Sequence, residues 1–270
     1  MMAVRVHPVV SVIHGQRADG RRSLPEEVAV AISYNGTTQA VMMATPADLE
    51  DFARGFTLTE GIADPAGIDS IAAVGTPKGI DLQIWLKPEA AARLAARRRT
   101  MAGPVGCGLC GIDSLDEAMR PAATVGTGVR LTAAQVGGAM GELRAHQPLH
   151  DVARALHAAA FWQPAQGVVL AREDIGRHNA VDKLAGAMAA GRQEAGQGVI
   201  LLTSRLSVDL VQKVAATGAS VVVAVSAPTG GALALADACG MTVVAMARPD
   251  RFEIYTHPHR IEAKDPADVA

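Results

Sequence analysis

The chain has 270 residues, with 25 Lys and Arg against 27 Asp and Glu, a net charge of -2 and 3% aromatic residues. At about 150 residues per domain this length suggests two units or one large one, able to bury a core without disulfide or metal staples. The balanced charge excludes a whole-protein footprint for nucleic acid or a membrane surface, and the few aromatics argue against a stacking platform for single strands.

The opening MMAVRVHPVVSVIHG lacks the uninterrupted apolar run of a secretory signal, so none is expected. The first hundred residues read as β-rich. Val28–Tyr34 alternates weakly, Asn35-Gly36 is a strong hairpin turn, and Thr37–Ala44 returns. Thr45 is the expected N-cap of a helix that begins at Pro46 and runs to about Glu60, with Asp48 and Glu50 favouring its N-terminus. Residues 71–86 form a further strand pair around 77–79, and the Ala- and Arg-rich stretch 88–99 is helical. Residues 101–111, with four glycines and a proline around Cys107 and Cys110, predict a mobile loop. Beyond it, 131–144 and 149–161 are expected to be helices with apolar faces.

The last hundred residues alternate: strand 199–203, helix 207–217, strand 220–226, helix 229–239, strand 241–247. Short apolar strands between helices imply a parallel sheet covered on both faces. The uncharged run 217–236 is not a membrane span, because Ser226, Pro228, Thr229, Gly230 and Gly231 interrupt it. The fold class expected is α/β, divided into a β-rich N-terminal subdomain (1–100), a Gly/Cys loop and linker (101–130) and an α/β domain (131–270).

In open α/β sheets, ligands bind beyond the carboxyl ends of the strands. Ser204 and Arg205 follow the first of these strands. Ser226, Thr229 and Gly230 follow the second, at a helix start, and Arg248 and Arg251 follow the third. Helix N-termini and arginine forks suit phosphate, so the convergence points to an anionic ligand, although strand-end polar residues are also often simply solvated. The single G-x-G-x-x-G match, 106–111, follows a helix rather than a strand and is read as accidental, and no P-loop is present. Residues 172–184, REDIGRHNAVDKL, sit between a strand at 167–170 and a helix. They are dense in polar groups, which fits either a functional loop or an internal ion-pair cluster that fixes domain packing.

Cys107 and Cys110 form C-x-x-C inside the glycine loop. Half of a zinc site would need two more ligands. His146 and His150 have usable spacing but flank Pro148 and lie far downstream, so they read better as loop histidines, and a dimer could supply four thiolates instead. A zinc deaminase would need H-x-E, and none of the eight histidines is followed by that pattern. A dithiol redox site and a persulfide relay remain. A relay needs a reachable, partly ionised thiol that can swing between donor and acceptor. Glycines supply the swing, and Arg97, Arg98 and Arg99 could lower a thiol pKa, although a solvated helix end explains the same charges. Cys239, late in an apolar helix, reads as a core cysteine. With so few cysteines a reducing compartment is expected.

GCGLCG at 106–111, REDIGRHNAVDKL at 172–184, LTSRLSVDLVQK at 202–213, SAPTGGALALA at 226–236 and RPDRFEIYTH at 248–257 together resemble the formate dehydrogenase accessory sulfurtransferase family, FdhD, over roughly 26–261. The resemblance implies a cytoplasmic homodimer with a core like that of cytidine deaminase but without its zinc site. Such a protein takes sulfur from a cysteine desulfurase and passes it to the molybdenum (or tungsten) bis(molybdopterin guanine dinucleotide) of formate dehydrogenase. Guanine nucleotides are expected to bind in place of that acceptor. Carried over, Cys107 forms the persulfide with Cys110 as its partner, and Met246, Ala247, Arg248, Pro249, Asp250 and Arg251 lie on the bound cofactor. Ser204, Arg205, Ser226, Thr229 and Gly230 would complete the grip on its phosphates, and Asp174, Arg177 and His178 are candidate orienting or base-recognition groups. A cofactor-binding chaperone with a redox or zinc-bridging C-x-x-C is the alternative. In one departure, Ala153, Arg154 and Ala155 stand where the family often has a Thr-Gly-Gly turn ahead of a histidine, here His157, which leaves the local geometry there open.

Overall fold

The computed structural model describes residues 2–101 and 121–263. Its first element is a hairpin that the sequence pattern does not announce, in which β1 (Val4–Ile13) pairs along its whole length with β2 (Gln16–Pro25). The turn is His14-Gly15, both at positive φ (51° and 80°), the backbone twist that two-residue hairpins require. His14 stands where Asn or Asp usually marks such a turn, and β2 is polar on both faces, so neither turn chemistry nor alternation gives the hairpin away.

The next unit matches its pattern. β3 (Val28–Tyr34), β4 (Thr37–Ala44), β5 (Ile68–Thr76) and β6 (Gly79–Leu86) form a sheet in the order β4-β3-β6-β5. Asn35 and Gly36 make the expected turn at positive φ. Helices α1 (Leu49–Thr59) and α2 (Pro88–Met101) accompany the sheet. Val30, Ile32, Leu82 and Ile84 pack with Phe52 and Phe56 of α1 and with Leu94 of α2. Thr45 is not the N-cap of α1. The helix starts four residues later, behind Asp48 in a left-handed conformation, because Thr45 is engaged elsewhere.

In the second half, β7 (Leu131–Thr132), α3 (Ala133–Leu143) and α4 (Pro148–Ala153) precede the strand β8 (His157–Gln163). The helix expected over 149–161 is therefore wrong beyond Ala153. HAAAFWQ has helix-forming alanines, but its side chains are buried on both faces of a sheet, and tertiary packing overrides propensity. Then follow β9 (Gly167–Asp174), α5 (Arg177–Ala190), β10 (Val199–Leu202), α6 (Val208–Ala216), β11 (Val221–Ala224), α7 (Gly230–Cys239), β12 (Thr242–Arg248), β13 (Arg251–Thr256) and β14 (Ile261–Glu262). The six-stranded sheet runs β13-β12-β11-β10-β8-β9. Only the β10–β11 and β11–β12 pairings are parallel. β13, β8 and β9 add antiparallel pairings, so the sheet is mixed rather than parallel. It is covered on both faces, as its apolar strands require: α5, α6 and α7 pack on one side with Leu184, Leu210 and Ala236, and α3 on the other with Val136 and Met140. The run 217–236 is β11 and the start of α7, and among the described residues no helix is long and apolar enough to cross a membrane.

Helix α1 lies against α5 at very close range. A Cβ on Gly55 would fall 1.6 Å from the Asp182 carbonyl oxygen, and one on Gly186 would fall 1.8 Å from that of Asp51. Only glycine permits this approach. It places the N-terminal sheet's helix directly behind the elements that carry the candidate site.

Candidate functional site

The carboxyl ends of β10, β11, β12 and β9 share one edge of the six-stranded sheet, and antiparallel β8 begins there. β8 starts at His157, opposite the last residue of β9, Asp174, while Leu202 at the end of β10 pairs with Ala159. Beyond β10 and β11 the chain keeps running side by side, with Leu206 bridged to Pro228 and Met246 N–H donating to the Ser226 carbonyl at 3.4 Å. The edge therefore reads, from one end, Met246 and Arg248, then Ser226, Thr229 and Gly230, then Ser204 and Arg205, then His157, then Arg177 and His178. The expected convergence of strand ends is present in the geometry. Helices α5, α6 and α7 also begin here, so three positive helix ends face it.

The individual side chains differ in what they have left to offer. Thr229 caps α7, its Oγ1 accepting from Ala232 N–H at 3.2 Å. Ser204 is buried and donates to the Arg205 carbonyl. Arg248 donates from Nη1 to the Val225 and Ala247 carbonyls, both at 2.7 Å. Met246 is an exposed residue at positive φ (52°) within the irregularity between β12 and β13, and Ala247 beside it is buried. Pro249, Asp250 and Arg251 turn the hairpin and are exposed. Arg205 and Arg251 form no ion pair with any described residue. Nε of Arg177 is buried and meets no hydrogen-bond acceptor among the described residues. Guanidinium groups without an ion pair among the described residues, beside positive helix ends, are suited to an anion.

The REDIGRHNAVDKL segment divides by role. Arg172 pairs with Asp51 at 2.7 Å. Glu173 caps α4, accepting from Leu149 and His150 N–H at 2.8 Å each. Asp174 faces inward, fully buried. It accepts from Thr45 N–H at 3.0 Å, Gly176 N–H at 2.7 Å and Asn179 at 3.0 Å, and it pairs with Lys183. Asn179 also donates to the Met43 carbonyl at 2.8 Å. Asp182 pairs with Lys213 and accepts from Thr59. Arg172, Asp174, Asn179, Asp182 and Lys183 thus clamp the two halves together, the packing role that the sequence left open. Arg177 and His178 open α5 at the strand-end edge.

Three groups here are not singled out for this edge by the sequence: His150, His157 and Asp209. Asp209 lies within the 202–213 segment and His157 follows the replaced turn, but their place at this edge comes only with the fold. His178 Nε2 meets the Asp209 carboxylate, and although burial opposes it, the His178 hydrogen bond holds that carboxyl well below the ordinary range. His157 is half-buried, and burial together with the nearby Arg177, His150, His178 and Arg205 pushes its pKa down. Arg154, in place of the glycine of the turn, adopts the left-handed conformation (φ 60°) and ends α4 there. Cys239 is buried, as expected. Cys107 and Cys110 lie outside the described residues, and among the described residues no group of His, Cys, Asp or Glu is arranged to hold a metal.

Comparison with known proteins places these features in context. The model of the FdhD/NarQ family matches residues 25–262. A protein of Agrobacterium fabrum named sulfur carrier protein FdhD is 48% identical over 251 residues, 92% of each chain. One of the same name from Brucella abortus is 49% identical over 245 residues, 90% of this chain and 91% of that one. A crystal structure from Desulfotalea psychrophila, described as a formate dehydrogenase accessory protein, superposes with a TM-score of 0.75 at 25% identity, covering 97% of this chain and all of the other.

Proposed function

Because the chain belongs to the FdhD/NarQ family, we propose that it is a sulfur carrier for formate dehydrogenase, taking sulfur from a cysteine desulfurase and delivering it to the enzyme's molybdenum bis(molybdopterin guanine dinucleotide). The Cys107 thiolate attacks the outer sulfur of the desulfurase persulfide. The donor S–S bond breaks, the desulfurase cysteine leaves as thiolate, and Cys107 carries the sulfur. Cys110 is its partner in the loop. In this reading 131–270 is the ligand-binding domain with a core like cytidine deaminase, 1–100 backs it, and the protein works as a cytoplasmic homodimer.

The observation that supports this reading best is the cationic strand-end edge, in a chain whose relatives bear the name sulfur carrier. Arg205, Arg251 and the start of α7 at Thr229-Gly230 would hold the nucleotide phosphates, with Met246 exposed beside them. The acceptor supplies the metal centre that receives the sulfur, and this chain supplies grip and orientation.

Incubation with a cysteine desulfurase and cysteine, followed by mass spectrometry, should show one added sulfur on Cys107. No adduct on Cys107 or Cys110 would remove the carrier reading. Normal formate dehydrogenase maturation with Cys107→Ala would leave only a cofactor-binding chaperone.

A further inference from the structure

The side chain of His157 shares a face of β8 with Ala159 and Phe161, which pack into the core beneath α5 and α6. Its imidazole therefore lies at the start of α5 rather than on the α3 side of the sheet. Four basic groups act on it electrostatically, all lowering its pKa: Arg177 and His178 from α5, His150 from α4, and Arg205 from the loop after β10. The neighbouring carboxylates are engaged. Asp174, directly across the strand pair, is turned to Lys183 and Thr45, Glu173 caps α4, and Asp209 is held by His178. Arg177 Nε is buried there with no acceptor among the described residues. A buried donor left unmatched costs about 1–3 kcal/mol, and with no acceptor for it among the described residues the cluster suits an acceptor-rich, negatively charged partner.

We propose that His157, Arg177, His178 and Arg205 form an oxyanion subsite for a pyrophosphate diester, and that His157 takes up a proton when the anion binds. The ligand chemistry rests on the cofactor reading above, while the proton linkage and the place of His157 go beyond it. Without a ligand, burial and the surrounding positive charge keep the imidazole neutral near pH 7. An entering anion compensates that charge, and the ring gains a proton and a second donor. Reciprocity then requires that acid tighten anion binding.

The probe is GDP-mannose, a guanine pyrophosphate diester whose own charge is constant across the range used. Inorganic sulfate serves as the second arm. Titration calorimetry on the full chain, between about pH 5.5 and 8 and in two buffers of different ionisation enthalpy, reads affinity and proton uptake together. Affinity for the diester should rise about three- to tenfold from the alkaline to the acidic end, with up to one proton taken up. His157→Gln should bind as wild type does at the alkaline end and lose the uptake. Arg205→Ala should weaken binding about tenfold and keep it. His146→Gln, outside the cluster, should change neither.

Diester binding that ignores pH, uptake that persists in His157→Gln, or no diester binding at any pH overturns the proposal. Sulfate binding equal to that of the diester overturns the nucleotide-tail assignment. Sulfur loading of Cys107 enters none of these readings. A missing sulfur adduct with proton-linked diester binding intact would therefore strike the carrier reading alone.

Discussion

Lys183 Nζ lies 2.6 Å from Asp174 Oδ2 with both side chains fully buried. Around them Thr45 acts as a clasp: its N–H donates to Asp174, its Oγ1 accepts from Ile175 N–H at 3.1 Å, and its carbonyl accepts from Lys183 at 2.9 Å. The chain leaving the N-terminal sheet is thereby fastened to the β9–α5 junction, two residues ahead of Arg177. The charge-dense motif thus holds the strand-end edge in place through its buried residues.

Removing one partner of a buried pair strands the other. Asp174→Asn or Lys183→Met should each cost about 3–5 kcal/mol, read from urea midpoints. The double variant Asp174→Asn with Lys183→Met should lose clearly less than the sum. Strict additivity would show that the two side chains act independently.

A second buried lysine gives the alkaline limb. Lys213 meets Glu60 at 2.5 Å and Asp182 at 2.8 Å. Burial works to strip its proton, but the two carboxylates more than offset this and raise its pKa above the ordinary lysine value. A raised folded-state pKa contributes stability that is complete below the unfolded value of about 10.4 and is lost as pH climbs through the folded value. Denaturant midpoints should hold through neutral pH and fall above about pH 10. Lys213→Met, less stable at neutral pH, should show a shallower alkaline fall. An equal fall in both proteins would assign that limb to other groups.

Two glycines should respond with opposite sign. Gly138 is exposed on α3, with nothing within 4 Å of the point a Cβ would occupy, so Gly138→Ala should stabilise by about 0.5–1 kcal/mol. Gly186→Ala has the same helix-propensity gain, but its Cβ would strike the Asp51 carbonyl. It should destabilise by about 1–3 kcal/mol or more by forcing α1 off α5. Thermal midpoints decide, and a stabilised Gly186→Ala would mean the helices separate freely.

Arg154 holds a left-handed backbone (φ 60°) that glycine adopts without steric cost. Arg154→Gly should therefore stabilise by about 0.5–1 kcal/mol, the relief of strain being partly offset by greater freedom of the unfolded chain. A loss of stability would show that the exposed arginine side chain contributes more than its backbone costs.

How much of this was legible depended on whether the signal was local. The Asn35-Gly36 turn, the strands 199–202 and 221–224 and the helix after Thr229 announce themselves through turn chemistry and apolar runs, and they stand where expected. Arg205 beyond β10 followed from the same topology, whereas Arg248 closes β12 and Arg251 opens β13, an antiparallel strand that the sequence did not announce. What failed was non-local. Ala158–Ala160 look helical until two sheet faces bury them, and Thr45 looks like a cap until Asp174 and Lys183, 129 and 138 residues away, claim its backbone. Asp209 sits in the 202–213 segment and His157 after the replaced turn, but the contacts that give each its role run across strands and helices and could not be read from spacing.

Arg248 and Arg251 look alike in sequence and differ in the fold. Arg248 ties the hairpin end to the Val225 carbonyl at 2.7 Å, whereas Arg251 forms no ion pair with any described residue. Removing the first should lower stability by about 0.5–1.5 kcal/mol, roughly 2–4 °C per kcal/mol in a chain of this size. Removing the second should leave the thermal midpoint unchanged. If Arg251 grips a phosphate, Arg251→Ala should weaken GDP-mannose binding about tenfold, in line with the loss of a hydrogen bond to a charged group. Calorimetric titration and thermal melts on both variants separate the roles. Equal melting points with equal loss of affinity would place both side chains on the ligand and remove the structural role of Arg248.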